Sequence, residues 1–326
     1  MKTEIAYLMK IPDSIISKIH LKIFKEKNSL NTFIFHGLFK NEEEKSLNTV
    51  DPQPWITIDQ FEEFIEYHLK HDYKFVSPDD IINGLNKDNK YIMITFDDGY
   101  YNNIHALPIL KKYKIPATFF ISTKHIQENK CFWWDILYRE RTKQKTPVKE
   151  IVKERDFLKS KTNQEIEEHL KKIFGKNILK PTNDINRPFT VSELKEFSKE
   201  KNVFIGNHTA DHAILTNYSA DEISLQIINA QKSLYEITGI KPIAISYPDG
   251  RYSDDIIKIS KESGLKIGVT VEYRKNSIPL DFDANDKCML LGRFDISGNV
   301  NIIRQCELFR SGILLYSRFG KILKER

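Results

Sequence analysis

Cysteine is scarce in this sequence: three in 326 residues, Cys131, Cys288 and Cys306, widely spaced and with no CxxC pair. That excludes a disulfide framework and a thiolate zinc site, and leaves the three as packing residues. No apolar run approaches the roughly 18 residues that a membrane span needs. The opening stretch, MKTEIAYLMKIPDSIISKIH, is broken by Pro12, Asp13 and Ser14 and lacks the apolar core of a secretory signal, so cytoplasmic residence is the expectation. Charge of one sign is missing too. Fifty basic residues face 45 acidic ones, a net +5 spread over interspersed lysines and glutamates, which does not imply nucleic-acid binding.

What is present is a succession of strand-like runs and capped helices. Thr57 with Gln60 opens a helix whose apolar face is Phe61, Phe64, Ile65 and Leu69, and Ser77-Pro78-Asp79-Asp80 opens a shorter one ending near Gly84. The strand YIMITF follows, then a helix around His105 to Lys112 and a strand in Ala117 to Ser122. Thr190 with Glu193 and Ser219 with Glu222 cap two more helices, the second ending at Gly239; Ser253 caps a third. Val203 to Ile205, Ile243 to Tyr247 and Leu265 to Val271 read as strands. Such alternation predicts parallel pairing through right-handed crossovers, as a barrel or a doubly wound sheet. The chain reads as one catalytic domain over 1–326, with a charge-rich helical insertion at about 124–187 and a helical tail at about 301–326. Two basic amphipathic segments, Ile15 to Lys27 and Phe309 to Arg326, fit either docking on the domain's own core or peripheral contact with an anionic membrane surface.

Functional groups in parallel α/β folds gather at the carboxyl ends of strands. Polar residues fall at five such places: Asp97 and Asp98 after YIMITF, His208 and His212 after VFIGN, Tyr247-Pro248-Asp249-Gly250 after IAIS, His36 after NTFIF, and Arg293 with Asp295 after CMLL. The H-x-x-x-H spacing of His208 and His212 predicts two imidazoles on one side of a helical turn, and two histidines with one carboxylate form a common ligand set for a divalent ion with an open position. Alone, either element has a bland account, a loop histidine pair or a solvated Asp-Gly turn. Together they allow one aspartate to hold the ion while its neighbour acts as a base toward water.

These segments resemble the polysaccharide deacetylases of carbohydrate esterase family four. Thr95-Phe96-Asp97-Asp98-Gly99 matches that family's first motif, and His208-Thr209-Ala210-Asp211-His212 its H-[ST]-x-x-H element, with Ala213 where proline is usual. Tyr247-Pro248-Asp249-Gly250 stands for the Pro-aromatic-Gly motif, and ILKKYKIPATFFIST for the segment after the first motif. The resemblance runs from about Thr32 to Val271. It implies a distorted (β/α) barrel with a helical insertion, hydrolysing the acetamide of an N-acetylated sugar. It further implies Asp98, His208 and His212 as metal ligands and Asp97 as base, with zinc the expected ion and cobalt, nickel or manganese acceptable to the same donors.

Two departures bear on mechanism. The family commonly has an arginine two residues before the proline of its third motif, where this chain has Ser246; Arg293 is the candidate for that task, against a structural ion pair. The family's late histidine, the general acid, has no counterpart after His212. His36 resembles a relocated acid, against a core-edge histidine satisfied by a carbonyl. His20, His68, His71, His125 and His169 read as surface residues of helices or loops. The turn Tyr247-Pro248-Asp249-Gly250 is expected to contact substrate and give a backbone N–H to the oxyanion. Trp133 and Trp134 suit sugar stacking or packing of the insertion. The expected substrate is a nucleotide- or lipid-linked glycan precursor on the way to cell-surface polysaccharide. A catalytically silent carbohydrate-binding metalloprotein, or a deformylase or O-acetyl esterase, are the competing functions.

Overall fold

The computed structural model describes residues 15–24, 26–51, 55–282 and 286–313. A first helix, α1, covers residues 15–23. The other elements are β1 (Leu30–Phe35), β2 (Leu38–Phe39), α2 (Glu42–Ser46), β3 (Ile56–Thr57), α3 (Ile58–Leu69), β4 (Tyr73–Phe75), α4 (Pro78–Asn83), β5 (Lys90–Phe96), α5 (Leu107–Tyr113), β6 (Ala117–Ile121), α6 (Thr123–Glu128), α7 (Trp133–Lys143), α8 (Val148–Leu158), α9 (Asn163–Phe174), α10 (Val191–Phe197), β7 (Val203–Asn207), α11 (Ala220–Thr238), β8 (Ala244–Ser246), α12 (Asp254–Glu262), β9 (Ile267–Val269), β10 (Arg293–Asp295) and α13 (Ile302–Ser311).

Eight strands form one sheet in the order β10-β1-β5-β6-β7-β8-β9, with β4 on the flank of β5. Every ladder is parallel. A further parallel bridge from Val269 to Leu291, two residues before β10, brings the two ends of the sheet together, so the sheet is a nearly closed barrel. The barrel expectation holds.

Alternation along β5 explains the interior. Ile92, Ile94 and Phe96 point outward into the main apolar core with Phe61, Phe64 and Ile65 of α3. A period of two then turns Met93, Thr95 and Asp97 inward. The helix starts follow the sequence signals: Thr57, Ser77, Thr190 and Ser219 all make reciprocal capping boxes, and Gly239 ends α11 with φ 74°. The insertion is helical as expected, with α7, α8 and α9 packed on a second core around Trp55, Tyr100, Phe132 and Leu170.

Several expectations need correction. His68 and His125 are buried, not at the surface, and burial takes both imidazoles down to about 3, so they are neutral. CMLL is not a strand; its first residues form a short 3-10 turn, and Arg293 opens β10 rather than following a strand. Of the tail, α13 is helical, whereas 314–326 lies outside the described residues. Among the described residues no helix is long and apolar enough to cross a membrane.

Candidate metal centre

Two adjacent carboxylates can serve one site only if the backbone reverses the alternation between them. It does: Asp97 points inward by strand period, and Asp98 adopts φ 76°, a left-handed conformation that a non-glycine residue holds only under constraint. Gly99 continues the turn at φ 91°, where a Cβ would lie 3.1 Å from Ile121 Cδ1. Asp98 is buried, and neither carboxylate oxygen has a hydrogen-bond partner among the described residues.

The two histidines arrive from β7. The segment His208 to His212 is a turn and not the expected helical turn, with Thr209 at φ 63° and His212 at φ 50°. Thr209 N–H donates to Asn207 Oδ1 at 2.7 Å, and Ala213 N–H to Thr209 Oγ1 at 2.9 Å, which fixes this shape. His208 Nδ1 meets the Ser246 carbonyl at 2.8 Å, so that nitrogen carries the hydrogen and Nε2 presents a lone pair to the site. Nε2 of His208 and Nε2 of His212 each lie 3.3 Å from Asp98 Oδ1. The ligand atoms of the three residues lie within 4.8 Å of one another. Two imidazole nitrogens converging on a buried, unpartnered carboxylate fit a divalent ion with open positions.

Asp97 is held differently. Arg293, buried inside the barrel, donates from both terminal nitrogens to the two Asp97 oxygens at 2.8 Å each. The guanidinium is itself fixed by the Thr270 carbonyl at 2.8 Å and by Thr95 Oγ1 at 3.1 Å. Ser246 Oγ adds a hydrogen bond to Asp97 Oδ2 at 2.9 Å. Burial drives the Asp97 carboxyl up, but the Arg293 charge and then His208 outweigh it and hold it below the usual carboxylate range. Asp98 is also held low, burial being outweighed by the two imidazoles. Arg293 thus stands where the sequence comparison left a gap, and Ser246, read as the empty position, is a second partner of the same carboxylate.

A cleft of about 390 Å³ opens over these residues, lined also by His36, Trp133, Trp134, Asp249, Asp51, Arg155 and Lys159. His36 follows β1 as expected, and its Nδ1 is buried without a partner among the described residues. Trp133 and Trp134 border the cleft but are 5% and 6% exposed within the insertion's core, which favours packing over stacking on sugar. Trp134 has a task of its own: its ring lies 4.5 Å from that of His212, and its Nε1 donates to Tyr100 Oη at 3.1 Å, which in turn donates to Asp135 Oδ2 at 2.7 Å.

The third-motif turn is only partly in the cleft. Tyr247 and Asp249 line the cavity, Tyr247 with most of its ring buried in the core; Pro248 and Gly250 do not, and the Asp249 carboxylate is taken by Lys159 and by Arg251 at 3.1 Å. The Gly250 N–H is spent on the Tyr247 carbonyl at 2.8 Å. Sequence reasoning missed Arg155 and Lys159. They stand four residues apart near the end of α8 and carry no motif; only their spacing on one helical face marks them.

The polysaccharide deacetylase family profile matches residues 84–268. Among named proteins, poly-β-1,6-N-acetyl-D-glucosamine N-deacetylase of Staphylococcus aureus is 28% identical over 256 residues, 77% of this chain and 70% of that protein. YxkH of Bacillus subtilis, named for the same family, is 25% identical over 216 residues; the match covers 64% of this chain and 57% of that protein. The structure of the Streptococcus pyogenes deacetylase PplD, in complex with acetate, superposes with a TM-score of 0.59 at 19% identity, covering 87% of this chain and 99% of that one. IcaB from Ammonifex degensii gives 0.57 at 16%, covering 88% and 98%. At such identities the superpositions speak to the fold, and the barrel is the same. The match to the family profile extends over more than half of the sequence, from the strand carrying the aspartates to the strand after the third motif, and the chain belongs to the polysaccharide deacetylase family.

Proposed function

We propose that this protein is a metal-dependent N-deacetylase that removes the acetyl group from an N-acetylated hexosamine in a glycan or glycan precursor for cell-surface polysaccharide. The observation that carries it is the convergence of Asp98, His208 and His212 beside a carboxylate locked by Arg293. A divalent ion held by the three, zinc being the best match to the donors, would supply Lewis acidity to the amide carbonyl. The protein's own groups do the rest. Asp97, ionised and oriented by Arg293 and Ser246, takes the proton of the attacking water. The Asp249 N–H is the donor that the third-motif turn has left for the developing oxyanion, since Pro248 has none and that of Gly250 is committed. His36 lines the same cleft and gives its proton to the departing sugar nitrogen.

The relative named for poly-β-1,6-N-acetyl-D-glucosamine supports a polymer of N-acetylglucosamine as first candidate substrate. The test is acetate release from N-acetylglucosamine oligomers by the zinc-loaded protein and by Asp97→Asn. Turnover should fall by a factor on the order of a thousand or more while bound zinc, measured by elemental analysis, stays at the native level. An Asp97→Asn protein that keeps its turnover removes the base; formate in place of acetate from the corresponding formamides would reassign the bond.

A further inference from the structure

The helical insertion walls the cleft, but one of its residues reaches past the wall to the loop that carries the two histidines. Lys130, between α6 and α7, is buried, with its side chain 4% exposed. Its Nζ meets Asp211 Oδ1 at 2.8 Å, Glu167 Oε1 of α9 at 2.6 Å and Glu128 Oε2 at 3.3 Å. Asp211 lies between the two histidines. Its other oxygen, Oδ2, accepts from Lys124 Nζ at 3.1 Å, while Lys124 N–H donates to the Ala210 carbonyl at 2.7 Å. From the far side, Gln226 of α11 accepts the Asp211 N–H at 3.0 Å through its side chain and the Ala210 N–H at 2.9 Å through its carbonyl.

This cage surrounds the two residues, Thr209 and His212, that hold left-handed φ values of 63° and 50° without being glycine. Such conformations persist only where neighbouring groups over-determine them. Hydrogen bonds from Thr209 account for the first half of the turn. On the His212 side the fixed point is Asp211, and among the described residues the His212 ring has no polar anchor besides Asp98, since its Nδ1 is buried without a partner. A metal-ligating histidine usually donates that N–H to a carbonyl or carboxylate, which fixes the ring. Here the ring is fixed through the chain on one side and by Trp134 on the other.

We propose that Lys130, with Lys124 in support, is a positioning residue for the metal centre: Lys130 on Oδ1 and Lys124 on Oδ2 pin Asp211, which holds His212 Nε2 on the Asp98 carboxylate and so sets the affinity for the divalent ion. The proposal rests on the metal-site assignment above. The insertion is then part of the metal centre's support and not an ornament on the barrel.

The test is zinc affinity of the full-length protein, by competition with a chromogenic chelator, for wild type, Lys130→Met, Lys124→Met and Asp98→Asn, alongside the thermal midpoint of each metal-free protein. Lys130→Met should bind zinc about tenfold to a hundredfold more weakly, the range usual for lost outer support, and excess zinc should restore turnover with KM unchanged. Lys124→Met, at a side chain 45% exposed, should fold like wild type and bind zinc more weakly by a smaller factor. A lowered thermal midpoint with unchanged zinc affinity would make Lys130 a structural brace and overturn the proposal. Should Lys130→Met fail to fold, Lys124→Met decides: unaltered affinity there overturns it equally. If Asp98→Asn binds zinc like wild type, the metal-site assignment itself has failed, an outcome distinct from either.

Discussion

At the scale of single residues the site turns on two neighbours treated in opposite ways. Asp98 is buried with no hydrogen-bond partner for either oxygen among the described residues and only two imidazole nitrogens near it, whereas Asp97 receives a bidentate guanidinium and a hydroxyl. A buried carboxylate without compensation is costly: Arg293 compensates Asp97, and the two imidazoles, with the divalent ion proposed above, would compensate Asp98. The inward aim of Asp97 is legible in the alternation of YIMITF. That of Asp98 is not, because it depends on a left-handed backbone that sequence does not announce. Arg293→Lys tests the first arrangement. An ammonium reaches one oxygen where the fork reached two, so kcat should fall on the order of tenfold to a hundredfold with zinc content unchanged. A variant with native kcat would show that orientation of Asp97 by the fork is not required.

Among the elements, helices were the more legible. Serine or threonine caps with a glutamate, glutamine or aspartate three residues on mark four helix starts correctly, because a capping box is a local structure with its own hydrogen bonds. Three-residue strands are too short to carry a period, so β10 was misplaced onto CMLL and its arginine shifted from strand start to strand end. The spacing of the two histidines predicts a helical turn, yet the cage around Asp211 makes it an irregular turn. Helix α1 matches its amphipathic pattern and raises a separate point. Ser17 rests on Ser311 of α13, while Ile15, Ile19 and Ile23 are 55%, 53% and 68% exposed, near Lys18 and the exposed Lys22. Such a face would suit peripheral contact with an anionic lipid surface. Ile19→Glu with Ile23→Glu should reduce sedimentation with phosphatidylglycerol vesicles roughly tenfold and leave hydrolysis of a soluble oligomer untouched. Absence of vesicle binding by the unaltered protein would dismiss this contact.

For the molecule as a whole, two buried imidazoles that the sequence analysis expected at the surface make the fold sensitive to acid. His68 packs among Phe33, Phe64 and Tyr73, and His125 stacks on Phe132, both buried and both held neutral until about pH 3. In the unfolded chain they take a proton below about 6.5. Between these limits the unfolded state binds more protons, so stability falls as the pH drops from 6.5 toward 3 and is indifferent to these groups above 6.5. Each histidine contributes a slope of about 1.4 kcal/mol per pH unit where it is fully developed. Urea midpoints of the metal-free protein at pH 7.5, 6 and 5 should decline accordingly, and His68→Gln should flatten the decline. A midpoint that stays constant from pH 7.5 to 5 would contradict it. His68 lies four residues after Phe64 and seven after Phe61, so the helical period already put it on the buried face of α3, where Leu69, expected there, is 37% exposed; His125, on the six-residue α6, had no such period to mark it.

The strand that supplies Arg293 is the last of the sheet in chain order, and it closes the ring between β1 and the bridge from β9. During synthesis, the aspartate at position 97 is made almost two hundred residues before its counter-ion. Until β10 leaves the ribosome, that carboxylate has no guanidinium and the barrel has an open seam, so any premature stop upstream of residue 293 costs the protein its closure and its proton acceptor's partner in a single event.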